Sequence, residues 1–307
     1  MRVLNPVSPL SGDIASFFNN MFALSCVIFG LVAVLLVLAL LRYRARPGYT
    51  TPAIQASGHT LLEIGWTAIP LLIVTVIFVF TVKAMYRTAP AELIRTPDVQ
   101  ITGHQWWWEV RYPNGAYTAN EIHVPVGKRV NAWILGGDVI HDFWVPELGP
   151  KMDAVPGRTN SLWIEADRPG TYLGACAEYC GTEHAWMLIR VMAQPPADFA
   201  AWLAAQARPP AAPSAGDALR GAQLFRDRTC INCHAIAGTD ATSRVGPDLS
   251  HIASRTTLGA GIIENTPENL ARWIADPQKI KRGVLMPDLQ LSDEDVRAIT
   301  AYMETLK

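Results

Sequence analysis

Apolar residues follow three different patterns along this chain, and each predicts a different kind of structure. Two runs near the N-terminus are apolar on every side. Residues 21–41, MFALSCVIFGLVAVLLVLALL, contain no charge and no proline, and residues 64–82, IGWTAIPLLIVTVIFVFTV, carry no charge either. As a helix each run is about 30 Å long, enough to cross a bilayer core. Hydrophobicity all round, rather than along one face, predicts lipid as the surrounding medium. A polar tail precedes the first run and no small-x-small site closes it, so it reads as a retained span and not a cleaved signal.

Between residues 97 and 193 the pattern shortens. Runs such as DVQITGHQWWWEV, RVNAWIL, TNSLWIEA and GTYLGAC are rich in β-formers and separated by Gly/Pro turns, with no helix-period segment between them. This is the signature of an all-β sandwich or barrel. Residues 194–214 read as a linker, because QARPPAAPSAGD (206–217) is rich in proline and alanine and favours an extended, semi-rigid chain. From residue 215 to 307 a helical period returns in GDALRGAQLFRDR, TPENLARWIADP and SDEDVRAITAYMETLK. Ser292 is placed to cap the last of these, with acidic residues in its first turn. The expected layout is a multidomain membrane protein. It has an N-terminal tail and two transmembrane helices (1–96), an all-β domain (97–193), a linker (194–214) and an all-α domain (215–307).

Charge and cysteine usage refine this picture. The 307 residues sum to a net charge of −1, so no basic field argues for nucleic acid. Arg42, Arg44 and Arg46 follow the first span directly, and the positive-inside rule puts the loop 42–60 in the cytoplasm. Both termini, and everything after residue 83, then lie outside. Of five cysteines, Cys26 sits in the first span as a packing residue, and the others form two close pairs. Close pairs indicate metal, haem or redox sites rather than a disulfide framework.

The first pair lies in CAEYCGTEHAWM, from Cys176 to Met187. Structural zinc favours Cys-x2-Cys spacing and four closed ligands. Here the cysteines are four apart, and a methionine follows His184 by three. Thiolate, imidazole and thioether form a soft set that favours copper. A mononuclear electron-transfer site uses one cysteine, so two cysteines can hold two coppers bridged by both thiolates. A second histidine is needed, and GGDVIHDFWVPELGPKMDAVPGR supplies His141.

With these motifs, residues 15–193 resemble subunit II of the haem–copper cytochrome c oxidases. That family has a cupredoxin domain bearing a dinuclear copper centre, CuA, on a two-helix anchor. The resemblance implies that Cys176 and Cys180 bridge the coppers and that His141 and His184 bind one each. Met187 would ligate one copper and the backbone carbonyl of Glu178 the other. The Glu178 side chain would face a magnesium or manganese shared with subunit I, as a hard oxygen ligand for a hard cation. GHQWWWEV resembles the family's aromatic run, so Trp106 takes the place where electrons arrive from cytochrome c. Trp108 reads as core, with Trp107 on the opposite face by strand alternation. Family members often carry Tyr or Phe at the Trp107 position and Ser at the Asp142 position. Glu63, in LLEIGWTAIP, matches the glutamate at the mouth of a proton pathway into subunit I.

The second pair is CINCH, Cys230 to His234, a haem-attachment motif in which two thiols form thioethers and the adjacent imidazole binds iron. The helical surroundings resemble an all-α class I cytochrome c. Met286 in RGVLMPDL is the expected sixth ligand, and His/Met ligation raises the haem potential. Pro247 is expected to orient His234 through its carbonyl, Met303 to be core, and His251 to be exposed. Covalent haem attachment also places this domain outside a bacterial membrane, independently of the arginine loop.

Together the modules resemble subunit II of a caa3-type oxidase, with a cytochrome c fused to the CuA subunit. The implied function is to accept electrons at haem c, pass them to CuA and on to subunit I, which reduces oxygen to water and translocates protons. Implied partners are subunits I and III, an external cytochrome or membrane donor, and the lipid of the bacterial inner (plasma) membrane. Other classes fit less well. A tethered copper chaperone or thiol oxidoreductase needs neither Met187 nor a haem. A nitrous-oxide-reductase-like enzyme needs far more than the 7 histidines present. A quinol oxidase subunit lacks the copper ligands. Whether the cytochrome domain docks or swings is left open by sequence.

Overall fold

The computed structural model describes residues 4–44, 48, 58–88 and 96–307. Arg46 and most of the arginine loop lie outside the described residues. The chain divides into two compact units, residues 12–89 and residues 1–11 with 90–307.

The first unit is built from two helices, α1 (Pro9–Arg42) and α2 (Thr60–Thr88). Among the described residues, these two are long and apolar enough to cross a membrane, and their apolar windows are unburied. Leu35, Leu36, Leu38 and Phe78 all stand more than half exposed. Side chains of this kind on every face are stable only in hydrocarbon. Both helices extend beyond the uncharged runs, with Arg42 in the last turn of α1 and Glu63 in the first turn of α2.

The second unit opens with ten strands: β1 (Val99–His104), β2 (Trp107–Arg111), β3 (Tyr117–Ala119), β4 (Glu121–Pro125), β5 (Val130–Gly136), β6 (His141–Trp144), β7 (Met152–Ala154), β8 (Asn160–Ile164), β9 (Gly170–Cys176) and β10 (Leu188–Gln194). They form two five-stranded sheets, ordered β3-β2-β1-β5-β8 and β4-β10-β9-β6-β7. The β1–β5 and β10–β4 pairs are parallel, and the other pairs in these sheets are antiparallel. Alternation decides the core. Val99, Ile101, Ala132 and Ile134 are fully buried on one sheet, and Ile189 and Val191 face them from the other. This is a two-layer sandwich with one apolar interior.

Residues 194–214 do not form a continuous extended linker. Pro196–Gln206 folds as helix α3. Its Phe199, Trp202 and Leu203 pack on the sandwich core. These three residues at i, i+3 and i+4 make an apolar stripe that outweighs the proline-rich composition nearby, and Pro196 suits the first helical turn. Trp202 stacks on His123 with ring centroids 3.8 Å apart and meets Tyr112 edge-on at 5.4 Å.

The remaining residues form a small helical domain with its own core: α4 (Gly216–Asp227), α5 (Pro267–Ala275), α6 (Pro277–Ile280) and α7 (Asp293–Thr305), with a short ribbon β11 (Thr257–Leu258) and β12 (Ile263–Glu264). Ser292 caps α7 by accepting from the Asp295 amide, and Asp293, Glu294 and Asp295 occupy its positive end. Gly221 of α4 meets α7 so closely that a Cβ there would lie 2.0 Å from the Ala298 carbonyl oxygen. His251 is buried and not exposed as expected, at 5 % accessibility. The turn after it is tied to the segment after α7 by a bond from the Ala253 amide to the Leu306 carbonyl (3.0 Å).

Candidate functional site

Strand pairing assembles the first cluster. β6 pairs with β9 in a register that sets Phe143 opposite Cys176, so His141 at the start of β6 stands beside that cysteine. The loop from β9 to β10 is closed at its base by the Cys176 amide donating to the Met187 carbonyl (3.0 Å). Within the loop, Cys180, His184 and Met187 turn back toward Cys176. The two sulfurs lie 3.7 Å apart. His141 Nδ1 is 3.9 Å from Cys176 Sγ, and His184 Nδ1 is 3.7 Å from Cys180 Sγ. Met187 Sδ is 3.9 Å from Cys180 Sγ, and the Glu178 carbonyl is 3.2 Å from Cys176 Sγ. All six expected ligands therefore converge. Two sulfurs on one tetrahedral ion, with bonds of about 2.3 Å, stand about 3.8 Å apart. The observed spacing fits shared metal, and both thiols are free.

Electrostatics agree with a cationic occupant. Burial, reinforced by Cys176, pushes the Cys180 thiol up to about 12. Two buried thiolates need a positive charge between them. Burial pushes His141 below its ordinary value, which keeps its imidazole neutral and able to ligate. Its Nε2 is held by Asp138 Oδ1 at 2.8 Å, leaving Nδ1 to face the sulfurs. Asp138 is a carboxylate behind a ligating histidine, and it is fixed in turn by the Gln105 and Val139 amides at 2.6 and 2.7 Å. Sequence reasoning missed it, although its position three residues before His141 was a usable signal. Gly103 permits the packing, since a Cβ there would lie 2.8 Å from the His141 ring. Asp142 is buried beside Asp153, and burial raises it to about 6 while Lys151 opposes the rise from 3.6 Å.

A second cavity lies in the helical domain. Cys230, Cys233, His234, Met286 and Met303 line it. His234 Nδ1 donates to the Pro247 carbonyl at 2.7 Å, so the proton sits on Nδ1 and Nε2 is left as the free ligand atom. Burial keeps this histidine below its ordinary value. Gly246 permits the approach of the ring, because a Cβ there would sit 2.6 Å from His234 Cε1. Met303 is 2 % exposed and forms part of the wall, as core. The donor set and the apolar lining suit a covalently held haem.

Trp106 belongs to both places. Its indole Nε1 donates to the Cys180 carbonyl at 3.0 Å, and the residue also lines the haem-type cavity. Trp107 lines that cavity as well, stacks on His104 at 4.6 Å and packs against Ala260 of the helical domain. Trp108 is fully buried between His141 and Phe143.

Three family models match the chain: "Cytochrome C oxidase subunit II, transmembrane domain" over residues 3–84, "Cytochrome C oxidase subunit II, periplasmic domain" over 116–194, and "Cytochrome c" over 218–307. Cytochrome c oxidase subunit 2 of Alkalihalophilus pseudofirmus is 37% identical, over 100% of this chain and 91% of its own length. The chain belongs to the cytochrome c oxidase subunit II family. The Bacillus subtilis subunit 2 is 30% identical over 86% of this chain and 80% of its own. Among solved structures, the periplasmic domain of subunit II (CoxB) of Bradyrhizobium japonicum is 33% identical with a TM-score of 0.35, covering 37% of this chain and 96% of that one.

As a cytochrome c oxidase subunit II, the chain is anchored in a membrane as part of a haem–copper terminal oxidase complex, with subunit I as its partner. Its cytochrome c domain implies haem c, and its periplasmic domain implies copper. Glu178 and Glu63 are both exposed. Among the described residues, the Glu178 side chain accepts from its neighbour, the Tyr179 amide, at 3.1 Å.

Proposed function

We propose that this subunit II is the electron-input subunit of a caa3-type oxidase. Bound at these two sites, a haem c and a dinuclear CuA would supply one-electron chemistry, and subunit I would reduce oxygen to water with proton translocation. Cys230 and Cys233 would hold the porphyrin, with His234 and Met286 as the residues for its iron. Cys176, Cys180, His141, His184, Met187 and the Glu178 carbonyl would hold the copper, and Asp138 fixes the His141 ring.

The observation that carries the reading is the double role of Trp106. Trp106 lines the cavity that contains His234, and its indole N–H bonds the backbone of Cys180, one of the proposed copper ligands. Soft sulfur and imidazole ligands at each end favour one-electron exchange.

Finer assignments rest on the family resemblance. The Glu178 carboxylate, exposed on the copper loop, would supply a hard oxygen to a magnesium or manganese shared with subunit I. Glu63, in the first turn of α2, delivers protons into subunit I. Arg42 and Arg44 hold the helix hairpin with both redox domains on the periplasmic or extracellular face of a bacterial inner membrane. Subunit III, and an external cytochrome or membrane donor, complete the partners.

Rapid photoreduction of haem c in the assembled oxidase, followed at the copper band, tests this. Trp106→Phe is expected to slow haem-to-copper transfer at least tenfold with copper and haem content unchanged. Transfer at the wild-type rate would reject the route.

A further inference from the structure

The cupredoxin and cytochrome domains exchange buried charges. Lys281, between α6 and the Met286 loop, is 1 % exposed. Its ammonium donates to the Trp106 carbonyl at 3.0 Å, the Trp186 carbonyl at 2.8 Å and the Gly259 carbonyl at 3.4 Å. Three donors meet three acceptors, two of them on the cupredoxin domain. Those two carbonyls flank the copper loop: one on the residue that bonds Cys180, the other on the residue before Met187.

The reciprocal charge is Glu121, on β4 of the cupredoxin domain and also 1 % exposed. Its Oε1 accepts from the Thr256 amide at 2.9 Å and the Thr257 amide at 3.1 Å, both in the cytochrome domain. Between these points the Leu188 amide donates to the Ala260 carbonyl at 3.1 Å, and Trp107 packs on Ala260. Each domain thus places one charged side chain on the other's main chain.

We propose that Lys281 and Glu121 are positioning residues: a two-point lock that holds the cytochrome domain in one orientation against Trp106 and Trp107. A buried charge is tolerated only where its hydrogen-bond partners are fixed. Backbone carbonyls and amides are fixed by the fold, so any rotation of one domain strands both charges at once. The lock therefore selects a single docked geometry rather than a range of apolar contacts. The cytochrome module is a stationary relay and not a tethered shuttle. It also covers Trp106 and Trp107, so an external donor meets the cytochrome domain and not the cupredoxin face.

The orientation of the domains rests on protein atoms alone, whereas its consequence for electron flow rests on the function proposed above. The experiment separates the two. In the assembled oxidase, amide hydrogen exchange at Thr256, Thr257 and Leu188 is compared in wild type, Lys281→Met and Glu121→Ala. The lock predicts at least tenfold faster exchange at these amides in either variant, with α7 amides unchanged and haem and copper content intact. Glu121→Gln, which keeps a carbonyl acceptor, is expected to restore part of the protection. Haem-to-copper transfer should change from one phase to several and become viscosity-dependent in both variants. Unaltered exchange at Thr256 and Thr257 in Lys281→Met and Glu121→Ala would overturn the proposal. If wild type shows no copper reduction, the functional reading fails, while the exchange comparison still decides the lock.

Discussion

Glu109 on β2 offers a direct test of the sandwich's electrostatics. It is 4 % exposed, accepts from the Tyr117 hydroxyl at 2.9 Å, pairs with Arg111 and lies 3.7 Å from His104 Nε2. Burial alone would raise its pKa. The contacts to His104, Tyr117 and Arg111 outweigh burial and lower it from 4.5 to about 2. A carboxylate with a depressed folded value stabilises the native state above the unfolded value and loses that contribution as pH falls toward the folded one. The gap corresponds to about 3 kcal/mol at 1.36 kcal/mol per tenfold change in proton affinity. Arg111 is about half exposed, so water screens its share, and about 2 kcal/mol is a better figure. About half of this is lost by pH 3, because the unfolded carboxylate protonates first. The assay is chemical unfolding of metal-free chain in detergent, read by tryptophan fluorescence at pH 7, 5, 4 and 3. Wild type should lose about 1 kcal/mol more than Glu109→Gln between pH 6 and pH 3, since other carboxylates titrate equally in both. Parallel stability curves for the two proteins would refute the assignment of a depressed, stabilising carboxylate.

Two further outcomes follow from single contacts. Asp138→Ala frees the His141 ring and should weaken copper affinity about 10- to 100-fold, measured by competition with a chelator, while the haem spectrum is unaltered. Equal affinity would mean that the carboxylate does not position the ligand. Trp202→Ala removes the stack on His123 and the edge contact with Tyr112, and should destabilise the cupredoxin domain by about 2–3 kcal/mol. Limited proteolysis should then cut within Pro196–Gln206, and resistance there would show that α3 is held by other contacts.

Much of the candidate site was legible because its chemistry is local. CAEYCGTEHAWM and CINCH each crowd ligand types into a few residues, and a loop pinched at its base brings them together whatever the rest of the chain does. His141 was within reach because a two-thiolate site needs imidazole from a second strand end. The long apolar runs declared themselves by composition. The short strands β3 and β7 gave little signal, since three residues cannot show an alternation. Helix α3 was hidden by proline-rich neighbours, although its aromatic stripe was present. His251 was misplaced because no local pattern shows that the turn after it is tied, through the Ala253 amide, to the distant Leu306 carbonyl. Lys281 and Glu121 were invisible for a related reason. Each reads as an ordinary surface charge until the other domain's backbone covers it. Trp107 likewise is buried by a partner surface, Ala260, far away in sequence.

The central claim is that Cys176 and Cys180 share their sulfurs between two coppers. Electron paramagnetic resonance of the oxidised, purified chain measures this directly, together with copper content. Two coppers per chain are expected, with a copper signal whose hyperfine pattern arises from one unpaired electron spread equally over two nuclei. One copper per chain, or splitting from a single nucleus, would contradict it.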